Sequence, residues 1–254
     1  MLKWCSYCQR FVGETPDYHN LSVTHGICAA CAPEADKFTE SDFQLAESLR
    51  DMQQQLRDAG SRGDLEAAKR LIENAAKANI RAVDVLIGVL APALYQIGED
   101  WRLGVLCVAE EHRFTAYCEK LFEWIAATVK EEIPPAAQAP QPEVLLMNAP
   151  ANNHMLGIRI LTLWLRNRGV PARVIDMPPT LEELAQMMIR TRPKSLLISI
   201  ALAEQSADVA AIAQRIAQLP APTRPRVIVG GYAVKLGLIA EIPGAELMGD
   251  ISEL

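Results

Sequence analysis

The spacing of apolar residues changes along the chain. Up to about residue 40 it shows little periodicity, whereas from 42 to 131 apolar residues recur every three to four positions among Ala, Leu, Glu, Lys and Gln. This pattern predicts helices over about 42–58, 64–78, 83–103 and 105–129, with Ala59-Gly60-Ser61 ending the first. Four helices joined by short turns favour a four-helix bundle.

After residue 142 the pattern changes to short apolar runs that alternate with amphipathic segments. The runs cover 144–147, 173–175, 195–200, 226–229 and 246–248, and the segments lie near 157–169, 181–192, 206–218 and 232–240. Such alternation predicts an α/β fold, a doubly wound parallel five-stranded sheet of the Rossmann-like kind. A Pro-rich stretch, 133–142, is predicted to be an extended linker. We therefore expect three domains, at 1–40, 42–132 and 143–254.

Composition limits the cellular location and the kinds of partner that we expect for the protein. The 254 residues are 50% hydrophobic and 22% charged, with a formal net charge of −6. The sequence has no continuous apolar run of about 18 residues and no signal peptide, so we expect a cytoplasmic protein without a membrane span. Residues 1–142 carry 14 Lys and Arg against 21 Asp and Glu, which argues against a nucleic-acid footprint.

Four of the six cysteines lie within the first 31 residues. Cys5 and Cys8 are separated by two residues, nineteen residues follow, and Cys28 and Cys31 repeat the pair. This spacing is typical of a tetrahedral structural zinc site, with an iron–sulfur cluster as the alternative. The nearby His19 and His25 are surplus to four thiolates. The other two, Cys107 and Cys118, fall in the helical region.

A histidine lies where an open α/β sheet binds ligands, in the loop after the first predicted strand. This loop runs from Asn148 to Gly157 and contains His154. Alone, it fits equally well a polar loop with an Asn cap. Forty-one residues separate Gly157 from Ser199, and 28 residues separate Ala201 from two glycines, Gly230 and Gly231.

These residues and their spacing resemble the fingerprint of cobalamin-binding domains. That fingerprint begins with an acidic residue, any residue, His, any two residues and Gly. About 41 residues later comes Ser-x-Leu, and after a further 26–28 residues comes Gly-Gly. The resemblance implies that His154 is the lower axial ligand of cobalt. It also implies that the displaced nucleotide tail passes beside Ser199, and that Gly230 and Gly231 permit its close approach.

Two positions depart from the fingerprint. Asn152 replaces the acidic residue, so it can accept a hydrogen bond from His154 but cannot take up a proton. Ala201 replaces the leucine and should leave a roomier slot.

A second resemblance lies in the helical region. Trp101, nine residues and then Glu111-His112 resemble the bundle of the cobalamin-dependent photoreceptors that repress carotenoid genes. The resemblance implies that Trp101 stacks on the upper ligand and that Glu111 and His112 bond to an adenosyl group, which favours adenosylcobalamin. From the residues alone, Trp101 could equally be a core aromatic and Glu111-His112 a solvated helix face. Arg102 replaces a histidine that ligates cobalt in those repressors, and a guanidinium cannot do so.

We therefore expect a cobalamin-based sensor without catalytic residues, responsive to light through the cobalt–carbon bond and signalling through a protein partner or a change of oligomer. The alternatives are a corrinoid methyl carrier of a methyltransferase system and a B12 carrier or level sensor. The cysteine segment resembles a small module appended to bacterial sensor and signalling proteins. Nothing resembles a helix-turn-helix domain, so direct DNA binding is not expected.

Overall fold

The structure is a computed structural model that describes residues 1–18, 20–37 and 41–250. The chain folds as two units, Met1–Glu131 and Glu132–Leu254, called here the N-terminal and C-terminal units. His19 lies outside the described residues.

The N-terminal unit begins with a small sheet in the order β2-β1-β3. Its strands are β1 (Leu2–Cys5), β2 (Phe11–Glu14) and β3 (Val23–Gly26), with β1 antiparallel to β2 and parallel to β3. Trp4 and Phe11 are buried on this sheet with their rings edge to face, 5.8 Å between centroids. The apolar pattern does not predict these strands, because each is only four residues long.

Helices follow the sheet: α1 (Ser41–Arg62), α2 (Leu65–Lys77), α3 (Ala82–Val85), a π-helical segment (Leu86–Leu90), α4 (Ala91–Arg102) and α5 (Val108–Thr128). The expected end of the first helix at residue 58 is wrong, because α1 continues through Gly60. A Cβ atom at Gly60 would lie 2.4 Å from the Phe114 ring. The glycine therefore lets α1 and α5 pack closely instead of ending the helix.

The stretch Ala82–Arg102 is the central helix of the N-terminal unit. Its length and composition would allow it to cross a membrane, but more than half of it is buried within the protein. It also contains the fully buried Asp84, whose two carboxylate oxygens each accept a hydrogen bond of 2.8 Å from Arg81. These features identify a core helix.

The C-terminal unit confirms the predicted α/β fold. Its sheet has five parallel strands in the order β5-β4-β6-β7-β8. The strands are β4 (Val144–Asn148), β5 (Ala172–Val174), β6 (Ser195–Ser199), β7 (Arg226–Gly230) and β8 (Glu246–Leu247), with helices α6 (Met155–Asn167), α7 (Leu181–Thr191), α8 (Ser206–Ala217) and α9 (Tyr232–Lys235). The strand order reverses between β4 and β6, and ligands of open α/β sheets bind at such a switch point.

The Pro-rich stretch is not simply the extended linker that we expected. Pro135–Gln138 form a 3₁₀ turn in which Ala137 is buried, and Ile133 just before it is also buried. The Gln138 side chain donates a hydrogen bond of 3.1 Å to the carbonyl of Ile133. The two buried apolar side chains explain why this part of the stretch folds into the C-terminal unit.

Candidate functional site

The strand ends next to three predicted parts of the site, the His154 loop, Ser199 and Gly230, lie side by side at the carboxyl edge of the C-terminal sheet. Asn148, the last residue of β4, pairs with Ser199 at the end of β6, and Ser199 pairs with Gly230 at the end of β7. Parallel strands held in this register bring the loop containing His154 next to both. Residues that are about 80 positions apart in the sequence therefore form one edge.

His154 is exposed at the N-terminus of α6, so its imidazole is accessible. The buried Asn152 holds the preceding loop. Its Oδ1 accepts a hydrogen bond of 3.1 Å from the His154 backbone N–H, and its Nδ2 donates one of 3.1 Å to the carbonyl of Ser199. The Asn152 oxygen thus accepts from the backbone amide of His154, and a bond from the imidazole stays a prediction. An aspartate could not make the second bond, because it lacks the N–H donor.

Sequence reasoning missed Gln205, which ties two loops of the edge together. Its buried side chain accepts hydrogen bonds from the backbone N–H groups of Ala201 and Leu202, at 3.0 and 3.1 Å, and donates to the carbonyl of Pro150 at 3.4 Å. Ala201 is thus held through its backbone, which no side-chain fingerprint reports. Gln205 lies on a short 3₁₀ turn, where no periodic pattern distinguishes it.

The glycines of the edge have different surroundings. A Cβ at Gly231 would lie 2.6 Å from the carbonyl oxygen of Ile200, and one at Gly230 would lie 3.0 Å from that of Met248. The pair is therefore required for packing within the unit itself. Gly157, exposed in the first turn of α6, has no described atom within 4 Å of its Cβ position and leaves open space beside His154.

Two further features of the edge suit a large cofactor. Asn148 is buried, and its Oδ1 has no hydrogen-bond partner within the described part of the chain. Met177 and Leu202, in the loops after β5 and β6, are 80% and 59% exposed. Together they supply an unused acceptor and an apolar rim, as cofactor sites do.

In the N-terminal unit, Trp101 is not a core aromatic. It lies in the last turn of α4 and is 49% exposed, and Leu103, Val105 and Val108, which follow it, are also exposed, with Leu106 between them half-buried. We call the four exposed residues the α4–α5 apolar surface. Grouped apolar exposure of this kind marks a binding surface more often than chance exposure does.

Glu111 and His112 lie in the first turn of α5, at the same end of the α4–α5 pair as Trp101. Glu111 accepts a hydrogen bond of 2.7 Å from the Thr115 hydroxyl, and its carboxylate is 3.5 Å from Nε2 of the exposed His112. Arg102 donates two hydrogen bonds to Glu99. Cys107 is exposed at the start of α5, and its backbone N–H donates to Glu110.

The four N-terminal cysteines converge as their spacing predicts. Their sulfur atoms all lie within 4.8 Å of one another, and no disulfide joins them. Burial disfavours the Cys5 thiolate, but backbone N–H groups of Cys8, Cys28 and Tyr7 lower its pKa to about 7. Burial and the neighbouring thiols raise the pKa of Cys31 to about 12. Four thiolates would therefore need a cation to compensate their charge.

Comparison with known proteins agrees with this description. Residues 52–125, in the N-terminal unit, match the family model described as the B12 binding domain. Over 91 residues, 36% of this chain and 46% of the relative, the chain is 33% identical to an uncharacterized 20.5 kDa protein of the bchF-crtJ intergenic region of Rhodobacter capsulatus. Over 147 residues, 58% of this chain and 46% of the relative, it is 26% identical to the HTH-type transcriptional repressor CarH of Myxococcus xanthus.

The chain thus matches a little under half the length of each of these relatives. Among solved structures, the monomethylamine corrinoid protein of Methanosarcina barkeri has the same fold, with a TM-score of 0.59 at 16% identity over 76% of this chain and 90% of that one. The family-model match supports a cobalamin-binding protein, and the solved structure shows the same fold.

Proposed function

We propose that this protein is a cobalamin-based light sensor that signals through a protein partner or a second copy of itself. The observation that carries the proposal is the α4–α5 apolar surface, where Trp101 and three aliphatic side chains are exposed. Exposing them to water is unfavourable, so a bound cofactor that covered them would stabilise the protein.

The carboxyl edge of the sheet, within the C-terminal unit, would bind cobalamin through groups of its own. His154 would offer an imidazole nitrogen to cobalt, and its backbone is already held by Asn152. The open position beside Gly157 would admit a flat ring, and Asn148 Oδ1 would accept a hydrogen bond from an amide of the cofactor. Ser199, Gly230 and Gly231 would border the slot for the nucleotide tail. When bound, adenosylcobalamin supplies a cobalt–carbon bond that light breaks.

The residues of the N-terminal unit would connect that event to a signal. Trp101 would shield the upper ligand from water, while Glu111 and His112 would hydrogen-bond to it. Those two polar groups favour the adenosyl form, because a methyl group offers nothing for them to bind. Once the ligand is lost, the α4–α5 apolar surface would become available to a partner. Arg102 cannot ligate cobalt, so if a second histidine binds after photolysis, His112 would be the candidate.

The charge of the N-terminal part of the chain bears on its location and partners. We propose a cytoplasmic protein that does not bind DNA directly, since residues 1–142 carry an excess of acidic side chains. Its effect on transcription, if it has one, would pass through another protein.

The test compares light and dark forms of the protein loaded with adenosylcobalamin. We expect green light to change both the absorption spectrum and the elution volume on gel filtration, alone or with a captured partner. Trp101→Ala should weaken adenosylcobalamin binding more than hydroxocobalamin binding. Trp124→Ala, which removes the half-buried tryptophan 6.0 Å from Lys69 Nζ, is the matched control and should affect both equally.

A corrinoid methyl carrier is the second candidate, favoured by the shared fold of the monomethylamine corrinoid protein. A carrier would exchange a labelled methyl group with a methyl-donor protein, and light would leave its elution volume unchanged. A B12 carrier or level sensor would change elution on cofactor binding, equally in light and darkness. Either result would refute light sensing while leaving cobalamin binding intact.

A further inference from the structure

We propose that Cys5, Cys8, Cys28 and Cys31 bind one zinc ion that fastens the N-terminal sheet onto the π-helical segment of the central helix. The ion would thereby control the packing of the N-terminal unit. This site is separate from every residue assigned above to cobalamin.

The geometry of the sulfur atoms favours a single ion. The Cys8 and Cys28 sulfur atoms are 3.8 Å apart. A tetrahedron with zinc–sulfur bonds of about 2.3 Å has edges of about 3.8 Å, whereas a disulfide needs about 2.05 Å. The Cys28 backbone N–H also donates to Cys5 Sγ at 3.4 Å, which stabilises a thiolate. In an iron–sulfur cluster, the inorganic sulfides would hold the cysteine sulfurs farther apart.

The residues that attach the sheet to the central helix flank the first cysteine pair. Trp4 precedes Cys5 on β1, and Phe11 opens β2 three residues after Cys8. Both rings reach Gly88: a Cβ there would lie 2.6 Å from Trp4 Cζ2 and 2.6 Å from Phe11 Cδ2. Only a glycine admits both aromatic side chains.

The segment that receives these rings is itself irregular. Pro92 has no N–H to bond the carbonyl of Gly88 four residues earlier, and its ring would collide with that carbonyl in an α-helix. The backbone instead widens into a π turn over Leu86–Leu90, in which the Ala91 N–H bonds to the Leu86 carbonyl. All five residues of the segment are buried, although its hydrogen bonding is the less stable kind. Packing of Trp4 and Phe11 against Gly88 would help to stabilise this form.

The metal site and the π segment should therefore respond together. The three strands are only four residues long and form few ladder hydrogen bonds, so removing the ion would loosen the sheet and free Trp4 and Phe11 from Gly88. The π segment would then open more often. Because burial of both aromatic rings is lost, its amides should exchange about tenfold to a hundredfold faster.

The experiment uses full-length protein without cobalamin, so its outcome is independent of the proposed light sensing. Metal analysis should find about one zinc and no iron per chain. Removing zinc with a chelator should speed hydrogen exchange in peptides covering 83–90, and adding zinc back should reverse it. Cys8→Ser should lose the metal, whereas Cys107→Ser, at an exposed cysteine outside the cluster, should keep it.

Gly88→Ala separates the two parts of the proposal, since it keeps all four sulfur ligands and displaces the rings. It should retain zinc but show fast exchange at 83–90, while Gly98→Ala, whose Cβ would meet no described atom within 4 Å, should behave like the parent. Failure of the parent to hold zinc would overturn the metal site, as would a stoichiometric content of iron. Zinc removal without faster exchange at 83–90 would overturn the coupling to the π segment, even if Cys8→Ser does not fold.

Discussion

Replacing Gly231 by alanine tests the packing of the carboxyl edge, free of any assumption about a ligand. Gly231 has φ of +110° and ψ of −172°, a backbone region essentially restricted to glycine, so alanine there costs about 1–3 kcal/mol. Its new methyl group would also lie 2.6 Å from the Ile200 carbonyl oxygen, and overpacking of this kind costs about 1–3 kcal/mol. The sum is about 2–6 kcal/mol of unfolding free energy.

Two other glycines of the same unit serve as controls. Gly237 also has positive φ, +65°, but its Cβ position is open among the described residues, so Gly237→Ala should lose only the conformational part. Gly157 lies in a helix with neither problem, and Gly157→Ala should be neutral or stabilise by about 0.5–1 kcal/mol. The expected order of stability loss is Gly231, then Gly237, then Gly157.

Hydrogen exchange of the β6 amides, residues 195–199, measures the effect within this unit. At 1.36 kcal/mol per tenfold, Gly231→Ala should speed exchange by a factor of about 30 to about 30,000. Equal rates for Gly231→Ala and Gly237→Ala would refute the close approach of Gly231 to Ile200. An unchanged rate in Gly231→Ala would refute the backbone strain as well.

Two further substitutions test the packing of α1 and the loop of His154. Gly60→Ala would force a methyl group into the Phe114 ring and should destabilise the N-terminal unit by about 1–3 kcal/mol, measured by urea unfolding. Gly98→Ala is the control and should not destabilise it. Equal urea midpoints for the two variants would contradict the close contact between α1 and α5. Asn152→Asp supplies the acidic residue of the fingerprint but loses the hydrogen bond to the Ser199 carbonyl. It should therefore weaken cobalamin binding by about tenfold. Asn153→Asp, at an exposed neighbouring residue, is the control and should leave the affinity unchanged. Equal affinity of the two variants in a titration would contradict that role for Asn152.

The C-terminal fold could be predicted because its signals are local. Buried parallel strands appear as short apolar runs, and all five runs became strands with helices between them. The spacing from His154 to Ser199 and Gly230 also predicted the shared edge, because consecutive strands in this topology end on the same side. What spacing could not predict was Gln205, whose role depends on backbone carbonyls and N–H groups.

In the N-terminal unit, the sequence predicted where helices occur better than where they end. In the sequence, Gly60 predicts the end of a helix. A glycine inside a helix also permits close contact with a neighbouring helix, and only the position of Phe114 distinguishes these two roles. The sequence contains Gly88 and Pro92, but it predicts the π segment only when the contacts of Gly88 with Trp4 and Phe11 are also known. The exposure of Trp101 likewise could not be predicted, since the same residue would suit a core.

The central claim, that His154 is the residue through which this protein binds cobalamin, is tested by one visible absorption spectrum recorded in the dark. The parent protein loaded with cobalamin should show the spectrum of histidine-ligated, base-off cofactor. His154→Ala should lose that spectrum and most of its affinity, while His112→Ala should keep the histidine-ligated form in the dark. A spectrum of His154→Ala identical to that of the parent would contradict the account.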